Sequence, residues 1–336
     1  MDPTIGVAGF MVGVLVGLTG MGGGALMTPV LVLVFGVQPL AAVSSDLVAS
    51  LFMKPVGGLV HLRHGTVHFT LVKWLCLGSV PAAFAGVLVL RALGSGETIQ
   101  DVVKVALGVA LLLAVLTMVA RALLVLRQHG RSWRAGSGPS KDSEPIVVRV
   151  WQTVLVGAVG GVVVGMTSVG SGSLIIVMLL LLYPKLRAAE LVGTDLVQAV
   201  PLVAAAALGH ALFGEVQLGL TAGLLAGALP GVWLGARLSS RAPQRVVRRA
   251  LALVLLASGL KLVGASTEVL GAALLAVAVL GPLAWMAARR LAGLPASWRA
   301  ERREVAARSG PTAFEARPSS DRSSVAGIGP PAWPGR

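Results

Sequence analysis

The chain is poor in charge, in acids and in cysteine. Of its 336 residues, 12% are charged and only 14 are Asp or Glu. A soluble globular domain carries about 25% charged residues. There is too little polar surface here to coat a water-soluble fold, so lipid must face most of it. The single cysteine, Cys76, lies inside an apolar stretch. It excludes an intrachain disulfide and any multi-cysteine metal site. With five histidines besides, neither a metal nor a cofactor is expected. The chain shows no nucleophile–base pair, so catalysis is not its expected business. The opening MDPTIG has no basic residue, and no small-residue cleavage site follows the first apolar run. That run is expected to stay as a membrane segment and not to be removed as a signal peptide.

What is present is apolar: 55% of residues are hydrophobic, and the mean hydropathy is +0.85. The net charge of +14 would suit nucleic acid if it lay on one face. Instead Arg237, Arg241, Arg245, Arg248 and Arg249 share one short loop region. Arg127, Arg131, Arg134, Lys141 and Arg149 share a central linker, and most of the rest follow Ala288. Basic residues confined to loops and tail follow the positive-inside pattern and argue against a nucleic-acid partner.

The apolar segments run over 5–20, 25–37, 40–62, 69–92 and 103–126, then 151–167, 172–183, 186–211, 216–236 and 247–263. An unmatched segment, 268–288, closes the series. The two sets repeat one another. LVGLTGMGGGAL at Leu15–Leu26 returns as VVGMTSVGSGSL at Val163–Leu174, 148 residues on. After a one-residue slip the offset is 149: Asp46 matches Asp195, His61 His210, Gly65 Gly214, Pro81 Pro230 and Gly86 Gly235. Two copies of a helical unit, each opening on a glycine-broken segment, are the plan of many secondary transporters. The expected organisation is a first transmembrane repeat over 1–126, a basic cytoplasmic linker over 127–150 and a second repeat over 151–263. An additional helix over 264–288 and a disordered basic cytoplasmic tail over 289–336 complete it.

Segments 25–37 and 172–183 reach only roughly 20 Å against a hydrocarbon core of about 30 Å. Each is expected to pair with its predecessor as a broken helix or re-entrant hairpin. The number of crossings therefore lies between roughly seven and eleven. The short-and-long pairs contribute two crossings or none, so the first half holds an odd number. The two repeats are then inverted relative to each other, with the N-terminus outside and the linker and tail inside.

Gly219, Gly223, Gly227, Gly231 and Gly235 recur every four residues. Such a stripe lets two helix backbones approach closely and says little about substrate. The glycines of the breaks differ. Thr19, Gly20, Gly22, Gly23 and Gly24, with Thr167, Ser168, Gly170, Ser171 and Gly172, are too dense in glycine for continuous helix. Unwinding would expose backbone N–H groups, and the short helix that follows aims its N-terminal dipole at the break, which attracts anions. A plain re-entrant packing turn is the alternative. A dinucleotide loop is not, since neither copy reads G-x-G-x-x-G.

Ionisable groups inside a membrane cost at least about 2.5–3.5 kcal/mol and are usually paired or line a cavity. Asp46 and Lys54 share one segment, and Asp195 repeats Asp46. Asp46 and Lys54 lie within about 80° on one helix face but two turns apart, so they do not pair directly. Each Asp could instead cap its helix near an interface. Lys54 matches Val203, so a cation breaks the two-fold pattern. It is a candidate ligand for an anionic head group, or else half of an ion pair with an Asp on a neighbouring helix. His61 and His210 are read as satisfied interfacial histidines and not as proton carriers.

On these residues the chain resembles the TauE/SafE sulfite exporter family. The likeness rests on the glycine break followed by Thr28–Pro39, then Ala41–Val67, and in the second half on Val192–Leu202, Gly209–Val216 and Leu229–Pro243. It spans residues 5–263. Many members read Gly-Thr-Ser where this chain has Ser44-Ser45-Asp46 and Gly193-Thr194-Asp195, so the Asp form looks like a subgroup. The resemblance implies transport of sulfur-containing anions such as sulfite or organosulfonates. The expectation is thus an all-α polytopic bundle in the cell membrane, whose partners are a small anionic solute and the lipid bilayer; a homo-oligomer is compatible with it. Ser45, Thr194 and Lys54 would add contacts to the two breaks. Asp46 and Asp195 are candidates for proton coupling, because a carboxylate in a low dielectric can titrate near neutral pH. Transport of another small organic anion such as a carboxylate, or of a cation, a membrane scaffold acting through the tail, and a membrane-embedded enzyme are the other readings.

Overall fold

A backbone surrounded by hydrocarbon must satisfy its own hydrogen bonds, and a helix does so within one segment. The computed structural model describes residues 3–19, 23–94, 96–135, 147–238 and 244–294. Eleven helices occupy them: α1 (Pro3–Thr19), α2 (Gly24–Leu33), α3 (Pro39–Arg63), α4 (Phe69–Ala92), α5 (Glu97–Ala135), α6 (Val150–Thr167), α7 (Leu174–Leu182), α8 (Ala188–Phe213), α9 (Leu218–Leu238), α10 (Gln244–Leu262) and α11 (Thr267–Leu291). Each expected apolar segment is one of them. Seven are long and apolar enough to cross a membrane: α3, α4, α5, α6, α8, α9 and α11. The protein is an all-α, multi-pass membrane protein. α2 has ten residues and α7 nine, about 15 Å each, so neither spans alone.

The ends of the segments differ from the sequence expectation in two places. α5 runs to Ala135 and carries Arg127, Arg131 and Arg134 on a helix, well inside the expected linker. Helix propensity is high through ARALLVLRQ, and no proline or glycine interrupts it before Gly130. α10 begins at Gln244, so Arg245, Arg248 and Arg249 sit on its first turns and not in a loop. Arg241, Lys141 and the tail beyond 294 lie outside the described residues.

The chain forms two compact units, Met1–Ala122 with Glu144–Leu274, and Leu123–Ser143 with Leu275–Arg336. In the second, a Cβ on Gly130 would run into the carbonyl of Ala292, so residues there meet backbone to backbone. The first unit holds both copies of the repeat, and its helices are exchanged between them. α1 packs along α9 and α6 along α4. Gly9, Gly13 and Gly17 of α1 face the backbone of Leu224, Ala228 and Val232. Gly157, Gly161 and Gly165 of α6 face Leu75, Ser79 and Ala83. These are the same contacts shifted by the repeat. A Cβ on Gly13 would stand 2.6 Å from the Ala228 carbonyl oxygen, so only glycine admits this approach. From the other side, Gly227, Gly231 and Gly235 meet Gly6, Phe10 and Val14. The α9 stripe is a packing surface, as its spacing predicts, but only from Gly223 onward, where Ile5 of α1 lies 3.5 Å from the Cβ position: Gly219 has no neighbour within 4 Å.

In both pairs the contacts rise together along the sequence, so α1 runs parallel to α9 and α6 to α4. α3 and α8 also pack on one another, in the opposite sense. Ser44 at the start of α3 meets His210 near the end of α8, while Gly58 approaches Val197 and Gly193 approaches His61. Two helices that correspond in the repeat are therefore antiparallel neighbours.

Candidate functional site

α3 sets Asp46, Ser50 and Lys54 at intervals of four, one polar stripe along a mostly apolar helix. All three are buried. Asp46 is the eighth residue of α3, so it does not cap the helix. Its Oδ2 accepts two hydrogen bonds, from Thr28 Oγ1 of α2 at 2.9 Å and from Ser168 Oγ at 2.6 Å. Thr28 directly follows the first break, and Ser168 belongs to the second. One carboxylate oxygen thus joins both halves.

Ser168 ends α6 in the left-handed conformation, φ 60°. For a residue with a Cβ this costs roughly 1–2 kcal/mol. Its charge-assisted bond to Asp46 offsets that cost. Gly170 (φ 126°) and Gly172 (φ 91°) complete the unwound turn. The two breaks touch: a Cβ on Gly24 would collide with the Ser168 backbone.

Lys54 Nζ donates to Ser171 Oγ at 2.5 Å, on the same second break. Asp46 and Asp195 both lie close enough for their charges to act on Lys54. Asp195, on α8, is within hydrogen-bonding reach of the Gly172 N–H and within electrostatic reach of Arg121. The centre therefore gathers α2, α3, α8 and the second break around two acids and a lysine. Asp46 Oδ1, Ser45 Oγ, Ser50 Oγ, Asp195 Oδ1 and Gln198 Oε1 are buried there and on the adjoining helices without a hydrogen-bond partner in the protein.

Of the residues expected from sequence, Lys54, Ser168, Ser171, Gly172, Gly23, Gly24, Asp46 and Asp195 are brought together. Ser45 is wholly buried on α3. Thr19 and Thr167 turn their hydroxyls back onto their own helices, to Leu15 O at 2.8 Å and Val163 O at 2.6 Å. Thr194 is elsewhere: its Oγ1 accepts the His68 N–H at 3.0 Å, at the α3–α4 connection. Gly20 and Gly22 lie outside the described residues. Thr28 and Ser50 were missed. Each had a signal: Thr28 carries the lone polar side chain of α2, and Ser50 completes the stripe of Asp46 and Lys54.

His210 has a partner on each ring nitrogen, as a satisfied histidine should. It is wholly buried, with Nδ1 2.8 Å from Ser44 Oγ and Nε2 donating to Gly165 O at 2.8 Å. It lines a cavity of about 390 Å³ with Arg91, Phe213 and Glu215. The Arg91 guanidinium lies 4.5 Å over the Phe213 ring, and Gln100 Nε2 donates to Glu215 at 3.3 Å. His64 and His68 are four apart, but Gly65 (φ 64°) breaks the chain between them, so they share no helix face.

The family model described as sulfite exporter TauE/SafE matches residues 5–262. A relative from Bacillus subtilis (strain 168), named "Probable membrane transporter protein YjnA", is 38% identical over 264 residues, covering 78% of this chain and all of the relative. No solved structure matches. The chain belongs to the TauE/SafE family of membrane transporters.

Proposed function

We propose that this family member is a secondary transporter that exports a small sulfur-containing anion, sulfite or an organosulfonate, by alternating access. One observation carries the reading: the α3 stripe of one repeat bonds the broken helix of the other, through Asp46 to Ser168 and Lys54 to Ser171. A buried cation beside the unwound turn at Ser168–Gly172 suits an anion, and the family's name supplies sulfite.

In this reading the repeats are inverted, which the antiparallel pairing of α3 and α8 supports. They occupy 1–126 and 151–263 and rock against each other about the centre. The basic linker and tail face the cytoplasm and the N-terminus faces out. Lys54 contacts the solute, Ser45 and the two breaks line its path, and Asp46 and Asp195 couple its movement to protons.

The test is tracer flux into proteoliposomes carrying the reconstituted chain. Sulfite, small sulfonates, sulfate and acetate are supplied in turn. Loss of sulfite or sulfonate flux in Lys54→Ala is the expected result. Flux of acetate alone moves the substrate to another small organic anion. Unchanged flux in Lys54→Ala removes the lysine from the site.

A further inference from the structure

Gly23 is not demanded by its backbone. Its φ is −70° and ψ −37°, ordinary for any residue. Nor is it demanded by crowding. A Cβ there would stand 3.4 Å from Met53 Cε, 3.5 Å from Asp46 Oδ1 and 3.5 Å from Ser50 Oγ, all ordinary contact distances. What its lack of a side chain does is leave two oxygens facing one point. Both belong to side chains that are almost wholly buried, 0% and 1% exposed, and neither oxygen has a hydrogen-bond partner among the described residues. Buried polar atoms seldom stay unpaired, and each costs roughly 1–3 kcal/mol when they do. The point also lies at the start of α2, whose first N–H groups have no partner within the helix.

The division of labour in Asp46 decides what sits there. Oδ2 is engaged by two hydroxyl donors, so Oδ1 is the atom that can take a proton. With that proton, Oδ1–H and the Ser50 hydroxyl are two donors aimed at one acceptor. The surrounding charges agree. Lys54 on the same helix, Asp195 on α8 and Arg121 on α5 are the ionisable neighbours linked to this centre; Arg248 on α10 acts on Arg121 but is exposed, so solvent screens it. α2 and the second break carry none, and the one charged residue of α9, Arg237, lies in its last turn over Trp233. Ionised, the two cations and two carboxylates cancel. An anion alone would leave a buried negative charge, and one proton taken up with it restores the balance.

We propose that one oxygen of the transported anion seats over Gly23, between Asp46 Oδ1 and Ser50 Oγ, and that the anion enters with one proton held on Oδ1. The proton comes from solvent, the anion keeps its charge, and the site gains a neutral pair. This rests on the anion-transport reading above.

The test uses the full chain in proteoliposomes with an entrapped pH indicator. Ethanesulfonate is the first probe, since a sulfonate stays ionised and every proton counted then belongs to the protein. Sulfite and acetate follow. The native chain moves one proton with each anion. Gly23→Ala fits sterically and places a methyl in the seat: flux falls by about tenfold or more, with thermal melting unchanged. Ser50→Ala adds no atoms and lowers flux in the same direction. Asp46→Asn keeps both acceptor bonds with a neutral side chain; anion counterflow falls, and what remains carries no proton. Native flux in both Gly23→Ala and Ser50→Ala, or one proton per anion in Asp46→Asn, overturns the seat and leaves the transport reading standing. No flux of any anion by the native chain overturns both.

Discussion

Asp46 and Asp195 occupy the same place in the two repeats and are held differently. Asp46 receives hydroxyls from Thr28 and Ser168. Thr28 corresponds to Ile176 or Val177, on either side of the one-residue slip, and Ser168 to Gly20, so the sequence around Asp195 supplies no matching hydroxyls. It lies instead beside the Gly172 N–H and the Lys54 charge. The framework around them shows the reverse. Gly9, Gly13 and Gly17 on α9 reproduce Gly157, Gly161 and Gly165 on α4, neighbour for neighbour. The repeat preserves what packs and varies what reacts. A helix–helix contact at glycine tolerates no added atom, whereas a hydroxyl can be traded for a methyl at modest cost. The substrate-facing chemistry can therefore diverge while the scaffold stays two-fold.

The sharpest test of this contrast lies in the scaffold. Gly13→Leu and Gly161→Leu should each cost about 3 kcal/mol or more, because the new side chain meets backbone that cannot give way. Recovery of monodisperse protein in detergent should collapse for both alike. If one is tolerated and the other not, the scaffold is not equivalent. Next come the acids. Asp46→Ala strands two buried hydroxyls and should lower stability by about 2–3 kcal/mol. Asp195→Ala strands no hydroxyl and should cost less, read as a smaller drop in melting temperature. Equal drops would erase the distinction. The smallest effect is at the traded position itself. Thr28→Val removes one donor from Asp46 and should cost about 1 kcal/mol. Val177→Thr offers a donor at the corresponding place and should be near neutral. A stabilised Val177→Thr would show that Asp195 can be held as Asp46 is.

The fold was largely legible because its signals are local. A run of apolar residues, a glycine cluster and a following short run each write one helix or one break. All eleven helices stand where those runs predict. The ends were less legible: basic residues mark a cytoplasmic face, not a loop, so Arg131 and Arg248 were misplaced from turn to helix. The site was legible where charge is rare. Asp46, Lys54 and Asp195 stand out in hydrocarbon by cost alone. Thr28 and Ser50 did not, because a hydroxyl is common in a membrane helix and only the partner opposite gives it meaning. Thr194 shows the converse. Its neighbour Asp195 reaches the centre, yet one residue along a helix is a turn of about 100°, which points Thr194 at the α3–α4 connection.

The exchange of helices between repeats also has a bearing on how the chain is made. α1 is synthesised before α9, to which its glycine face belongs, by roughly 200 residues. At about 5–20 residues per second, that is a wait of about 10–40 s. α4 likewise lies beside the point that α6 must fill before either is buried. Neither half can close its own core after insertion. A nascent first repeat stands in the bilayer with its closest-packing face turned to lipid until its sister arrives, so the two copies mature as one cooperative assembly and not in sequence.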